Sequence, residues 1–145
     1  MTENQVLRLL QRIVAQKRLL KSIKMQLKSL EEIAEPCAAD PEKTPVSGGE
    51  VEDVSKTLAR IERKRERLTK RYLLHVEEIL TAETKAEGLV NLIDSEEIRA
   101  ILMDRYFRGM DWTTIFKEHH ASRAKVFRNR KAGIKEMAMK SKKNR

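Results

Sequence analysis

An apolar residue returns at alternating intervals of three and four from Val6 to Ala34: Val6, Leu9, Ile13, Leu20, Ile23, Leu27, Leu30 and Ala34, with Gln16 the one polar member. The same spacing resumes as Val51, Val54, Leu58, Ile61, Leu68, Tyr72, Ile79, Ala82, Ala86, Leu89 and Ile93, broken only by Arg65 and His75. A period near 3.5 belongs to helices that bury a seam against one another, and a strand cannot use it. One helix alone cannot bury such a stripe, so each seam needs a partner. Leu10, Leu19 and Ile33 would widen the first seam. Residues 36–49 hold all three prolines and two of the five glycines and read as a connector. The economical arrangement for residues 1–93 is therefore an antiparallel coiled-coil hairpin, and a second copy of the chain could join it as a homodimer. Thr2 and Gln5 have the spacing of a capping box at its start.

From residue 94 to 138 the pattern shortens into three helices separated by tight breaks. Ile98, Ile101, Leu102, Tyr106 and Phe107 recur at helical spacing, and Asp94 with Glu97 has the form of a capping box. Gly109 is expected to end that helix, because glycine takes the left-handed conformation beyond a C-terminus without a steric penalty. Asp111 is placed to cap a second helix, Trp112 to about Glu118, with Trp112, Ile115 and Phe116 facing inward. Ser122 offers the same cap to a third helix over residues 122–137. There Val126, Gly133, Ile134 and Met137 form a narrow apolar stripe, while Ala124, Arg128, Lys131 and Lys135 fall on the opposite face. Residues 139–145 read as a basic tail. The expected fold is all-α throughout, with charged residues at 37% and aromatics at 4% favouring solvated helices over a large globular core.

The position of the charge says more than its amount. Residues 123–145 carry ten Lys or Arg against Glu136 alone, which accounts for the entire formal net charge of +9. The first 122 residues balance. An excess confined to the last helix and tail points to a polyanionic partner, most simply nucleic acid. A further cationic run, Arg60 to Arg71, diluted by Glu62 and Glu66, could touch phosphates, and a salt-bridged surface is the safer reading.

Helix, glycine break, helix, short turn and a Ser-Arg pair opening a basic helix: this order resembles the helix-turn-helix of sigma-70 region 4. It is similar in particular to phage and prophage transcription regulators that carry RYF-x-G-x-x-W-x-x-I before a Ser-Arg helix and place a long helical region ahead of it. The matching residues are Arg105, Tyr106, Phe107, Gly109, Trp112, Ile115, Ser122 and Arg123. Phe116, His119 and His120 depart from that pattern, which has a small residue, an apolar residue and a glycine at those places. The resemblance implies a DNA-binding transcription regulator in the cytoplasm of a bacterial host cell, with double-stranded DNA as partner and contact with RNA polymerase. It implies Ser122 as the cap, Arg123 and Arg128 toward bases or phosphates, and Lys125, Arg130, Lys131 and Lys135 on the phosphate backbone. Ala124 and Phe127 fall at base-reading positions, where they suit a thymine methyl. Two other expectations stand beside this one: an adaptor that docks on RNA polymerase without reading DNA, and a packaging-type DNA recognition subunit assembled through its coiled coil.

Other chemistries find little support. Cys37 is the only cysteine, so no intrachain disulfide can form, as suits a reducing cytoplasm. No apolar run approaches the ~20 residues of a membrane span, and Arg8, Arg12, Lys17 and Arg18 interrupt the apolar core that a signal peptide requires. No membrane partner is expected. The chain has no P-loop, no GxSxG and no HExxH. His119 and His120 are adjacent and would point apart, with Cys37 and His75 distant, so no metal, cofactor or enzymatic activity is expected.

Overall fold

A computed structural model describes residues 1–39 and 48–143, apart from the side chains of 36–39 and 48–52. The described residues form five helices and no strand: α1 (Glu3–Ala39), α2 (Gly48–Val90), α3 (Glu96–Leu102), α4 (Trp112–Glu118) and α5 (Arg123–Lys143). The chain is all-α. α3 continues into a π-helical turn, Met103–Phe107.

The ends of these helices follow local rules. At the start of α1, Thr2 N–H donates to Gln5 Oε1 at 2.9 Å and Gln5 N–H donates to Thr2 Oγ1 at 3.2 Å, a reciprocal capping box. α1 continues through Pro36 to Ala39 and α2 begins at Gly48, so both described ends of the connector expected over residues 36–49 are helical. Proline removes one backbone bond, whereas the alanines after it are the strongest helix formers. Residues 40–47 of that connector lie outside the described residues. α2 runs 43 residues and stops at Val90, where Leu92 N–H bonds back to Leu89 O and Ile93 N–H to Val90 O. Ser95 caps α3, accepting from Ile98 N–H at 3.4 Å. Asp94, expected in that role, has another partner: its carboxylate meets Lys140 at 2.9 Å.

The chain divides into two compact units, Met1–Lys17 with Glu78–Arg145, and Arg18–Glu77. In the first unit one core collects Val6, Leu10 and Ile13 of α1, Ala82, Ala86 and Val90 of α2, and Ile93, Leu102, Tyr106, Ile134, Met137 and Ala138. This core thus joins residues on both sides of the boundary expected at 93. α3 and α4 have seven residues each, too short to bury an apolar face without longer neighbours. α5 lies close against α3 at Gly133, where an added Cβ would stand 2.8 Å from both Ile98 Cγ2 and Leu102 Cδ1. Lys17 ties the unit further: it pairs with Glu83 at 2.5 Å and donates to Phe107 O, a free carbonyl at the end of the π turn.

The end of α5 is also anchored. Lys140 Nζ donates to Leu92 O at 2.8 Å and meets Asp94 and Glu136 at 2.9 Å each. Its pKa is raised, first by the bond to Glu136 and then by that to Asp94, and the Lys140 bond lowers that of Asp94. The stretch expected to be a basic tail is helix as far as Lys143; Asn144 and Arg145 lie outside the described residues.

In the second unit Ile23, Leu30 and Leu68 are buried, flanked by Leu27, Ile61 and Tyr72. Leu19 and Ile33, expected to widen the first seam, are 46% and 56% exposed. A seam facing a single helix covers only a narrow stripe, and residues one step off it stay in water. Arg65 takes no place in that core; it is exposed beside Glu62 at 3.5 Å.

Candidate nucleic-acid interface

The three short elements of the first unit are held by their turns. Gly109 has φ +71° and lets Met110 N–H close onto Asp104 O at 2.9 Å, ending the π turn. Asp111 Oδ1 accepts from Thr114 N–H at 2.8 Å and caps α4. Its pKa is lowered by hydrogen bonds from the Thr114 side chain first and then its backbone, which stabilise the carboxylate. α4 then ends in a Schellman turn: Ala121 N–H bonds to Phe116 O at 3.1 Å and His120 N–H to Lys117 O at 3.3 Å. The left-handed residue in that turn is His120, at φ +47°. Beyond it Ser122 Oγ accepts from Lys125 N–H at 3.2 Å and starts α5.

A small core joins these elements. Ile101, Ile115 and Val126 are fully buried together, with Met110, Trp112, Phe116 and Ala121 packed around them. α5 presents Val126, Gly133, Ile134, Met137 and Ala138 inward. On the other side Ala124, Arg128, Lys131 and Lys135 are exposed, and the three cations make no ion pair with a described residue. Lys142 continues the row, since 142 lies two full heptads after 128. Sequence reasoning had assigned Lys142 to the tail; the helical extent of α5 brings it onto this face.

The remaining residues of the expected surface behave differently. Arg123 is exposed, with its guanidinium 5.4 Å from the Phe127 ring centroid. Lys125 is 3.5 Å from Glu97 on α3. Phe127 is withdrawn from the open face, because its ring packs 4.9 Å from Trp112 and 5.9 Å from Phe116. Arg130 is withdrawn too: its Nε donates to Tyr106 Oη at 2.7 Å, and its guanidinium lies 5.7 Å from the Trp112 ring. Arg105 approaches the same ring at 4.8 Å while donating to Met110 O. The arginines on Trp112 are therefore structural contacts between α3, α4 and α5, worth about 0.5–2 kcal/mol each as cation–π pairs.

One group went unnoticed in the sequence. Asp104 is 4% exposed and accepts from Arg108 Nη1 at 2.8 Å, with His119 Nε2 also at 2.8 Å. A buried carboxylate needs partners. The signal was present as an acid set within an apolar run, with Arg108 one helical turn on. His119, which stands where the resembled pattern has an apolar residue, fills that need and locks the end of α4 to the π turn.

Known proteins offer no match to the chain among family models, curated proteins or solved structures. Among the described residues no helix is long and apolar enough to cross a membrane, and no group of His, Cys, Asp and Glu is placed to hold a metal ion.

Proposed function

We propose that the chain is a DNA-binding transcription regulator of phage or prophage type, in which α3, α4 and α5 act as a sigma-region-4-like helix-turn-helix. One observation carries the reading: a row of cations on α5, opposite its buried stripe and pairing with no described residue, in a chain whose net charge sits within residues 123–145. α5 lies in the major groove with its N-terminal half toward the bases. Arg123, Ala124 and Arg128 meet base edges or phosphates there, and Lys131, Lys135 and Lys142 follow the backbone. Phe127 and Arg130 hold α5 in place from behind.

The hairpin belongs to the same proposal. In the first unit Val6, Leu10 and Ile13 share a core with Ala82, Ala86 and Val90, and in the second Ile23 and Leu30 share one with Leu68. Early α1 with late α2, then later α1 with earlier α2, is the order of an antiparallel coiled coil. Homodimerisation, contact with RNA polymerase and a place in the bacterial cytoplasm are further parts of this reading.

Fluorescence anisotropy with a labelled duplex over a salt series tests it. If about six cations of α5 neutralise phosphates, log K falls against log salt with a slope near −5. Replacing Arg128, Lys131 and Lys135 by alanine removes about 2.7 from the magnitude of that slope. A flat salt response, or a slope the triple variant leaves unchanged, refutes the reading. A second reading is favoured by the withdrawal of Phe127 and Arg130, which leaves few side chains for base edges. In that case the module docks on RNA polymerase without reading DNA, and a polymerase pull-down survives the triple substitution.

A further inference from the structure

Among the described residues the cationic run of α2 is ion-paired only at Arg65. With about 100° per residue, Arg60, Lys64, Arg67 and Arg71 stand within one narrow sector, and Arg63 and Lys70 border it. All six are exposed, and none pairs with a described residue. Of the two acids in the run, Glu62 points to another face of the helix, where it meets Arg65 at 3.5 Å. Glu66 lines a concavity of about 560 Å³ together with Arg60, Arg63, Lys64 and Arg67. The seam residues Ile61, Leu68 and Tyr72 occupy a different face, so core packing does not explain the stripe.

We infer that this stripe is a second nucleic-acid surface, one that grips the phosphate backbone of duplex DNA without reading bases. From Arg60 to Arg71 the helix rises roughly 16 Å, and each strand of a duplex offers about five phosphates over that length. Four cations in line at intervals of one turn match such a ladder of charge. The centre of the stripe has no apolar or aromatic anchor and consists of charged residues, which are depleted at the centres of protein interfaces. Arginine forks also suit phosphate oxygens.

The inference stands apart from the role of α5, and the experiment keeps the two separate. In the full chain Arg60, Lys64, Arg67 and Arg71 are replaced by glutamine, which retains helix propensity; circular dichroism verifies the helix. Anisotropy with a random-sequence duplex should then show the salt slope falling by about 3.6. The Arg128, Lys131 and Lys135 alanine variant, by contrast, should keep a salt-dependent affinity that falls again, by about the same 3.6 in slope, when the stripe is also neutralised. That result would support the stripe even if α5 reads no DNA. Unchanged affinity and slope in the stripe variant overturn the inference. So does a stripe variant that loses binding to polyglutamate chains or anionic vesicles while binding duplex as before.

Discussion

Replacing Gly133 by alanine sets two known terms against each other. Glycine inside a helix costs about 1 kcal/mol relative to alanine, so the substitution alone should stabilise α5. The new Cβ, however, would stand 2.8 Å from Ile98 Cγ2 and 2.8 Å from Leu102 Cδ1, against the ~3.5–4.0 Å at which carbons rest. Leu102 can yield at its methyl terminus, but Ile98 Cγ2 moves only with the branched side chain itself. Overpacking of this kind costs about 1–3 kcal/mol, so Gly133→Ala should destabilise by about 1 kcal/mol net. Gly88 on α2 is the control, because a Cβ there meets nothing within 4 Å. Gly88→Ala should gain the full helix term of about 1 kcal/mol. For a chain of this size each kcal/mol moves the midpoint by about 2–4 °C, so the two variants should straddle the parent by a total of roughly 4–8 °C. Thermal unfolding followed at 222 nm reads this directly. A Gly133→Ala variant as stable as Gly88→Ala would refute the close approach of α3 and α5.

Three further outcomes follow from the turns and the small core. Ile115→Ala should cost about 2–5 kcal/mol, since that side chain is fully buried between Ile101 and Val126; urea unfolding measures it, and a loss under 1 kcal/mol would mean α4 is not packed as described. His120→Gly should stabilise by up to about 1 kcal/mol, because the left-handed conformation at φ +47° strains any side chain. An unchanged or lower midpoint would refute that. The third concerns pH. The Asp94 carboxyl has a lowered pKa in the folded chain, so its contribution is present above the ordinary carboxylate range and lost as pH falls through the lowered value. Lys140 has a raised one, so its contribution is lost as pH rises through the raised value. Lys140→Met should therefore lower the midpoint most at neutral pH, and the gap to the parent should narrow in acid, where only the bond to Leu92 O remains; a constant offset across pH would contradict the pairing.

Much of the helical framework was legible in the residues. The Thr2 and Gln5 box, the caps at Asp111 and Ser122, the stop at Gly109 and the inward stripe of α5 all appear where the spacing puts them. The cap of α3 fell one residue from its expected place because Asp94 and Ser95 are both competent caps, and Lys140 draws Asp94 away. Two further features could not be read in this way. The π turn at Met103–Phe107 inserts a residue into the helical count, and the pairing of Asp104 with His119 joins positions 15 apart through a turn.

What the residues alone determined was the caps at Thr2, Asp111 and Ser122, the stop at Gly109, the apolar stripe of α5 and where the surplus charge lies, because such properties depend on neighbours within about four positions. Tertiary packing decided which cations are available. Arg128 and Arg130 stand two residues apart on one basic helix, yet Arg130 meets Tyr106 and Trp112 while Arg128 meets solvent. Packing also drew the three-helix segment into a core shared with Val6, Leu10 and Ile13, since helices of seven residues cannot bury their apolar faces alone.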